Sequence, residues 1–388
     1  MKISKHFVVI FWLCILVLLI NCGSQKDNKD DLKAGISIVN GTEVIKNPSE
    51  PLYGELKLEL TEELTIGHKE DDFLSFIAEV DVDKNGNIYV LDYKEDRLKI
   101  FDSEGNFIRA IGQTGQGPKD LYEPLSLDVD ASGRIYITDN SLRTRIFDFN
   151  GELLDFIRLK KSYPEYSLTA DGNFVCIGTT FGPQRLKSIK KLLKITPGGD
   201  IIKEYISKEI KNRIRYPGGN GTIIFPSEFL HDIIYYVSKK SMLYYGDSSS
   251  YKIYVRDKND RLIKEIRRDE KSAKISGEEK NKQVEHYHKI ESVDSATISK
   301  LKMLIPDYKP FFFAFLVDER ERLFVFKRYT YEDNEPVTVD IFDENGQYIY
   351  RTVMQWVPKL IHSGYLYVAD LEGDDFVLKK MKIKNLLK

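Results

Sequence analysis

Gly86-Asn-Ile-Tyr-Val-Leu-Asp92 joins a turn glycine to a run of β-branched, aromatic and aliphatic side chains that ends on an acid. The same pattern returns at Gly133-Arg-Ile-Tyr-Ile-Thr-Asp139, Gly172-Asn-Phe-Val-Cys-Ile-Gly178, Ser241-Met-Leu-Tyr-Tyr-Gly-Asp247, Glu321-Arg-Leu-Phe-Val-Phe-Lys327 and Gly364-Tyr-Leu-Tyr-Val-Ala-Asp370. Its third position is always large and apolar: Ile88, Ile135, Phe174, Leu243, Leu323 and Leu366. A strand that leaves a tight turn and is then buried has this composition.

A second element accompanies four of the copies: Lys99-Ile-Phe-Asp-Ser-Glu-Gly105, Arg145-Ile-Phe-Asp-Phe-Asn-Gly151, Tyr254-Val-Arg-Asp-Lys-Asn-Asp260 and Asp340-Ile-Phe-Asp-Glu-Asn-Gly346. Each reads as a strand, a turn needing a positive φ, and a return strand. Inner strands are expected just before the first turns, at Phe76 to Val82, Leu125 to Val129, Ile233 to Val237 and Phe311 to Val317. A four-stranded meander repeated every 40 to 50 residues or so is the pattern of a β-propeller blade. The expected fold is all-β, a six-bladed β-propeller with blades near 76–111, 125–159, 166–206, 223–268, 311–354 and 356–386.

Asp81-Val-Asp-Lys-Asn-Gly-Asn-Ile-Tyr-Val-Leu-Asp92, the Phe-Asp-x-x-Gly turns, Ile111-Gly-Gln-Thr-Gly-Gln-Gly-Pro118 and Tyr308-Lys-Pro310 together resemble the NHL-type repeats of bacterial six-bladed β-propeller lipoproteins. The resemblance spans roughly residues 55 to 386. Such scaffolds carry lyases, lactonases and plain binding proteins, so the resemblance implies a fold more than a function.

The N-terminus is a charged segment with Lys2 and Lys5, an apolar run from Phe7 to Ile20, and then Leu19-Ile-Asn-Cys22. The run is short for a membrane span, and a cysteine at its end resembles a lipobox, with Asn21 where a small residue is usual. Residues 1–21 are therefore read as a lipoprotein signal peptide and Cys22 as the lipid attachment site, which implies a bacterial cell envelope location, in the outer membrane. Residues 22–51, polar and poor in aromatics, read as a flexible tether, and 52–388 as the propeller. Of three cysteines, Cys14 leaves with the signal and Cys22 carries lipid, so Cys176 stands alone as a small buried hydrophobe. A formal net charge of −2 gives no reason to expect a nucleic-acid partner.

The last blade is short, and the alternating Leu56, Leu58 and Leu60 are expected to supply its outer strand, shutting the ring. Pro217-Gly-Gly-Asn-Gly221 reads as a surface loop. Asp269 to Pro310 reads as one or two short helices on the rim, with Val284, Ile290, Ile298, Leu301 and Leu304 as the apolar face.

Asp81-x-Asp83-x-Asn85-Gly86-x₅-Asp92 approaches an EF-hand loop, but strands flank it, Asp stands twelfth, and Asp128, Asp130 and Asp139 repeat the spacing. Hairpin turns account for both copies, leaving calcium as the alternative. The acids Asp92, Asp139, Asp247 and Asp370 are expected to accept N–H bonds from the turns that follow them. Glu79 and Asp128 are the acids of the inner strands; His68, His231, His286, His288 and His362 are scattered. No catalytic, cofactor-binding or metal residue is assigned. The expected role is a membrane-anchored binding or scaffolding module for a small molecule, glycan or protein partner, with a metal-dependent propeller lyase or lactonase as the alternative.

Overall fold

The computed structural model describes residues 32–68, 73–160, 163, 166–182, 187–215, 222–224, 229–285, 287, 293–327 and 335–386, with the side chains of 215 and 222–224 left out. Six sheets with antiparallel four-stranded cores follow one another along the chain; in the first five the core strands run outward in sequence order, and the sixth takes its outer strand from Leu60–Ile66. Inner strands lie at Ile77–Val82, Pro124–Val129, Tyr166–Leu168, Ile233–Val237, Ala314–Val317 and Leu360–His362. These are the six blades, of four strands each at their core.

Each repeat strand is packed on both faces because its sheet lies between two neighbouring sheets. Ile88, Ile135, Phe174, Leu243, Leu323 and Leu366 are all buried. The apolar clusters sit between blades: Val80, Val82 and Val90 of blade one meet Leu360, Tyr367 and Leu378 of blade six. Tyr89, Leu91 and Ile100, on the opposite face, meet Leu127, Val129 and Ile137 of blade two. Alternation along a strand therefore distributes one sequence motif over two cores. The turn glycines are needed for conformation as well as space. Gly105 has φ +84°, and a Cβ there would come within 2.4 Å of Leu64.

Ring closure follows the expectation, with the strand set slightly later in sequence. β1 (Gly35–Val39) and β2 (Thr42–Asn47) come first, and β3 (Leu60–Ile66) is the fourth, outer strand of blade six. β3 pairs antiparallel with Asp375–Ile383, from Leu378 opposite Ile66 to Ile383 opposite Leu60. Leu58 packs against the core between blades five and six, while the backbone N–H of Leu56 donates to Arg351 O of blade five at 2.7 Å.

The tether expected over 22–51 is corrected across 35–47. Asn40 and Gly41, at φ 50° and 79°, turn β1 into β2, and β2 pairs in parallel with Leu262–Arg268, the outer strand of blade four. Asn-Gly between alternating apolar residues is a strong hairpin signal, and Val44 and Ile45 are buried by it. Asn47 then clips two blades together: its Nδ2 donates to Gly346 O at 2.9 Å, and its Oδ1 accepts from Tyr348 N at 2.7 Å.

Between blades four and five lie α1 (Gly277–Val284) and α2 (Ser295–Leu304). Ser276 and Glu279 form a reciprocal capping box at the start of α1, and Asp294 caps α2. Val284, Ile298 and Leu301 are buried and Leu304 is partly so, as the apolar face requires; Ile290 lies outside the described residues. They form a separate small core with Phe229 and Ile214, the latter from a short hairpin (Arg213–Arg215 with Thr222–Ile224). Pro217 to Gly221 lies outside the described residues, and blade four begins at Ile233, ten residues beyond its expected start. Among the described residues no helix is long and apolar enough to cross a membrane.

Because this small core is separate from the inter-blade layers, replacing Lys271 to Ile305 by a short Gly/Ser linker should leave one cooperative unfolding transition with unchanged β-sheet circular dichroism. Loss of the transition would show that the blades depend on the helices.

Candidate functional site

The turn acids do local work. Asp83 Oδ1 accepts from the backbone N–H groups of Asn85 and Asn87 at 2.8 and 3.0 Å, and Oδ2 from Asn87 Nδ2 and the Tyr89 hydroxyl. Asp130 repeats the arrangement in blade two. Asp81, two residues before Asp83, turns instead towards blade two, where it accepts from Val129 N at 2.7 Å. The carboxylates of the EF-hand-like stretch are thus drawn to different partners.

The acids that close the repeat strands accept from the following turns, as Asp92 does from Lys94 N and Asp139 from Ser141 N. They also reach the chain entering their blade: Asp92 accepts from Ser75 N and Asp139 from Tyr122 N. Asp247 and Asp370 accept from Ser249 N and Leu371 N.

Glu79 and Asp128 lie beside the central channel, where inner strands end their hydrogen-bond ladders. An inner strand has no further strand to pair with, and carboxylates of the preceding blade take up its free N–H groups. Glu79 accepts from Leu127 N at 2.6 Å, and Asp128 accepts from Leu168 N at 3.1 Å. Lys239, on the first turn of blade four, crosses to Asp81. Burial lifts the Asp128 carboxyl to about 7, against the pull of Lys239 and with the help of Asp81. Burial and the same acids push the Tyr236 phenol well above its ordinary range.

A second charged group lies on the opposite face, at the seam of blades four and five. In blades two and six the closing acid of the repeat strand pairs with a cation on the third strand: Asp139 with Arg145, and Asp370 with Lys379. Blade five reverses the charges. Lys327 stands at the closing position and Asp340 on the third strand, 3.2 Å apart and both almost fully buried. Arg268 Nη1 meets Asp340 and Glu270, and Lys327 also meets Glu270 at 2.5 Å. The hydroxyls of Tyr251 and Tyr348 donate to the two oxygens of Asp340 at 2.8 and 2.7 Å.

Burial lowers the Lys327 pKa below the usual lysine range, opposed by Asp340 and Glu270. The Arg268 guanidinium lies 4.4 Å from the Tyr348 ring centroid, and Nη2 donates to Ser49 O at 2.7 Å. The network opens into a cleft of about 520 Å³ lined by Ser49, Glu50, Arg268, Asp269, Glu270, Lys271, Thr338 and Arg351. Its walls carry both signs of charge, suited to a polar or zwitterionic ligand. The exchange of Lys327 for an acid, with Asp340 where Lys99, Arg145 and Lys379 stand, was legible in the repeat alignment. Its significance was not, because Arg268, Glu270 and Ser49 reach it from elsewhere in the chain.

The fold and its local geometry agree with a family whose sequence profile matches residues 68–336, described as a 6-bladed beta-propeller. The chain belongs to this family, DUF5128. Among solved structures, a “Putative exported protein” of Bacteroides fragilis is 16% identical with a TM-score of 0.54, covering 88% of this chain and 100% of that one. A DUF4221-family member from Bacteroides vulgatus is 15% identical, TM-score 0.47, covering 85% and 99%. Virginiamycin B lyase of Staphylococcus aureus is 11% identical, TM-score 0.43, covering 84% and 100%. No curated protein matches. At these identities the structural likeness speaks for the fold alone.

In this DUF5128 propeller, Cys22, the lipid-attachment candidate, lies outside the described residues, as do His286 and His288. His68 pairs with Glu372 at 2.9 Å and His231 Nε2 lies 2.9 Å from Tyr308 O, so these histidines serve separate contacts. Among the described residues no three His, Cys, Asp or Glu side chains are arranged to hold a metal ion. Cys176 is buried, and burial pushes its thiol up to about 12, which suits a packing role.

An acid whose pKa is higher folded than unfolded favours the fold when protonated and weakens it when ionised. For Asp128 this penalty develops as pH rises from about 4, its unfolded value, through about 7. Asp128→Asn keeps an acceptor for Leu168 N. It should therefore be more stable than wild type in denaturant titrations at pH 8, with the gap closing towards pH 5. A gap that widens on acidification would contradict the assignment.

Proposed function

We propose that the chain is a bacterial envelope lipoprotein, lipid-anchored through Cys22 to the outer membrane, with NHL-type repeats forming a platform that binds a small molecule, a glycan or a protein partner. The reading takes 1–21 as the signal peptide and confines the tether to the residues between Cys22 and β1. The single observation that carries the binding role is the reversed charge pair Lys327–Asp340, linked through Arg268 and Glu270 to the cleft of about 520 Å³ that those two residues line. Elsewhere the repeat positions serve the scaffold; here the pattern departs from itself where a cavity forms. Removing buried ions from water is costly, so the network is weak evidence for stability, and unlike the equally buried Asp139–Arg145 pair it is joined by residues that line a cavity.

The anchor is supported by the charged N-terminus, the apolar run and Cys22. The similarity in fold to a protein described as exported agrees with that reading. Two chains of lipid on Cys22 suffice for stable attachment at about 0.8 kcal/mol per buried CH₂.

In cells fed labelled fatty acid, wild type should take up label and Cys22→Ala none; label retained by the variant would remove the anchor. For the cleft, a thermal-shift panel of amino acids, sugar acids and neutral oligosaccharides should give one class that raises the melting temperature of wild type but not of Arg351→Ala. A shift identical in both proteins would move the site elsewhere.

A further inference from the structure

On the opposite face of the same seam, the turns of blades four and five enclose a smaller cavity of about 150 Å³. Its walls are largely apolar, from Met242, Val255, Ile266 and Leu323, with the Tyr244 ring beside them. Glu321 enters this space from an unusual backbone position. It sits at φ 63° in the place held by Gly86, Gly133 and Gly172 in the first three blades. Ser241 takes φ 57° at the same place in blade four, so the turn itself sets this left-handed conformation, which costs a side-chain-bearing residue about 1 kcal/mol or more.

The Glu321 carboxylate is only half satisfied. Oε2 accepts from Ser238 Oγ and Tyr244 Oη, both at 3.0 Å. Oε1 is buried and meets no donor among the described residues. Lys264, the one cation on the wall, donates to Glu344 O, and Lys240 on the neighbouring turn is exposed. With Glu321, Asp343 and Glu344 against Lys264, the cavity is electronegative, and burial raises the Glu321 and Asp343 pKa values. A small apolar space ending on an unsatisfied carboxylate calls for an aliphatic chain that carries a hydrogen-bonding cation.

We infer that this cavity is a binding site for a primary ammonium on a short alkyl chain, either a free alkylamine or the side chain of a lysine. The ammonium pairs with the Glu321 carboxylate while its methylenes lie against Met242, Val255 and Leu323. The site is separate from the charged cleft and does not depend on the identity of the cleft's ligand.

Isothermal titration of the purified full-length chain with n-butylammonium, Nα-acetyl-lysine amide and 1-butanol tests it. Wild type should bind at least one ammonium and bind 1-butanol at least about tenfold more weakly, because a neutral hydroxyl lacks the charge-assisted bond. Glu321→Gln keeps the shape and should weaken ammonium binding by a similar factor. Binding of both ammonium probes assigns the pocket to a protein lysine, and binding of n-butylammonium alone assigns it to free amines; either outcome supports the site. Binding of neither, equal binding of 1-butanol by wild type, or unchanged ammonium binding by a folded Glu321→Gln overturns it.

Discussion

The pairing of β3 with the strand at Asp375–Ile383 is the constraint on which the ring depends. Every other strand of the six blades pairs with a neighbour close in sequence, whereas this one brings together residues more than 300 positions apart. The contact is reinforced beyond the ladder. Lys384 N donates to Glu59 O at 2.9 Å, and the Asn385 side chain exchanges bonds with Lys57 O and Glu59 N. Leu64, on the same strand, occupies the space that Gly105 of blade one leaves open. One strand therefore completes a sheet, covers an edge that would otherwise invite aggregation, and packs the last blade against the first. Its closure entropy is borne once for the whole ring.

A closed ring of sheets still leaves the inner edges unpaired, and carboxylates supply part of the remedy. Glu79, Asp81 and Asp128 each bond an N–H of the next blade's inner strand. The acids that sequence inspection marks as candidates for chemistry are thereby engaged in holding blades together around the channel. The cluster at blade five is different in kind. Its ions come from three separate segments, Lys327 and Asp340 are almost fully buried, and Arg268 and Glu270 border a cavity. The scaffold's own regularity makes this departure visible.

Blade number, strand order and five of the six blade starts were legible in the sequence, because a repeated motif multiplies a weak local signal. The Asp turns were legible for the same reason. The β1–β2 hairpin was not read, although Asn40-Gly41 marks it, because the polar composition of the surrounding segment outweighed a two-residue signal. Its place on blade four depends on a parallel pairing with Leu262–Arg268 more than 200 residues away, which no local pattern records. The start of blade four was displaced because the segment before Ile233 belongs to the hairpin and small core of the helical insertion. The cleft was hidden for a related reason: Lys327 and Asp340 are visible as a swap within the repeat, but Arg268, Glu270 and Ser49 join them only in three dimensions.

The most direct test of the ring account compares the equilibrium unfolding of a chain beginning at Pro51, which keeps β3, with one beginning at His68, which lacks it; both lack β1 and β2. Burial of Ile66 with the partly buried Leu60 and Leu64 is lost with that strand, at about 1.5–3 kcal/mol for each fully buried side chain. The shorter chain should lose at least about 3 kcal/mol, and a peptide spanning residues 55–68 added in trans should restore part of that loss. Equal unfolding midpoints for the two chains would contradict closure by β3.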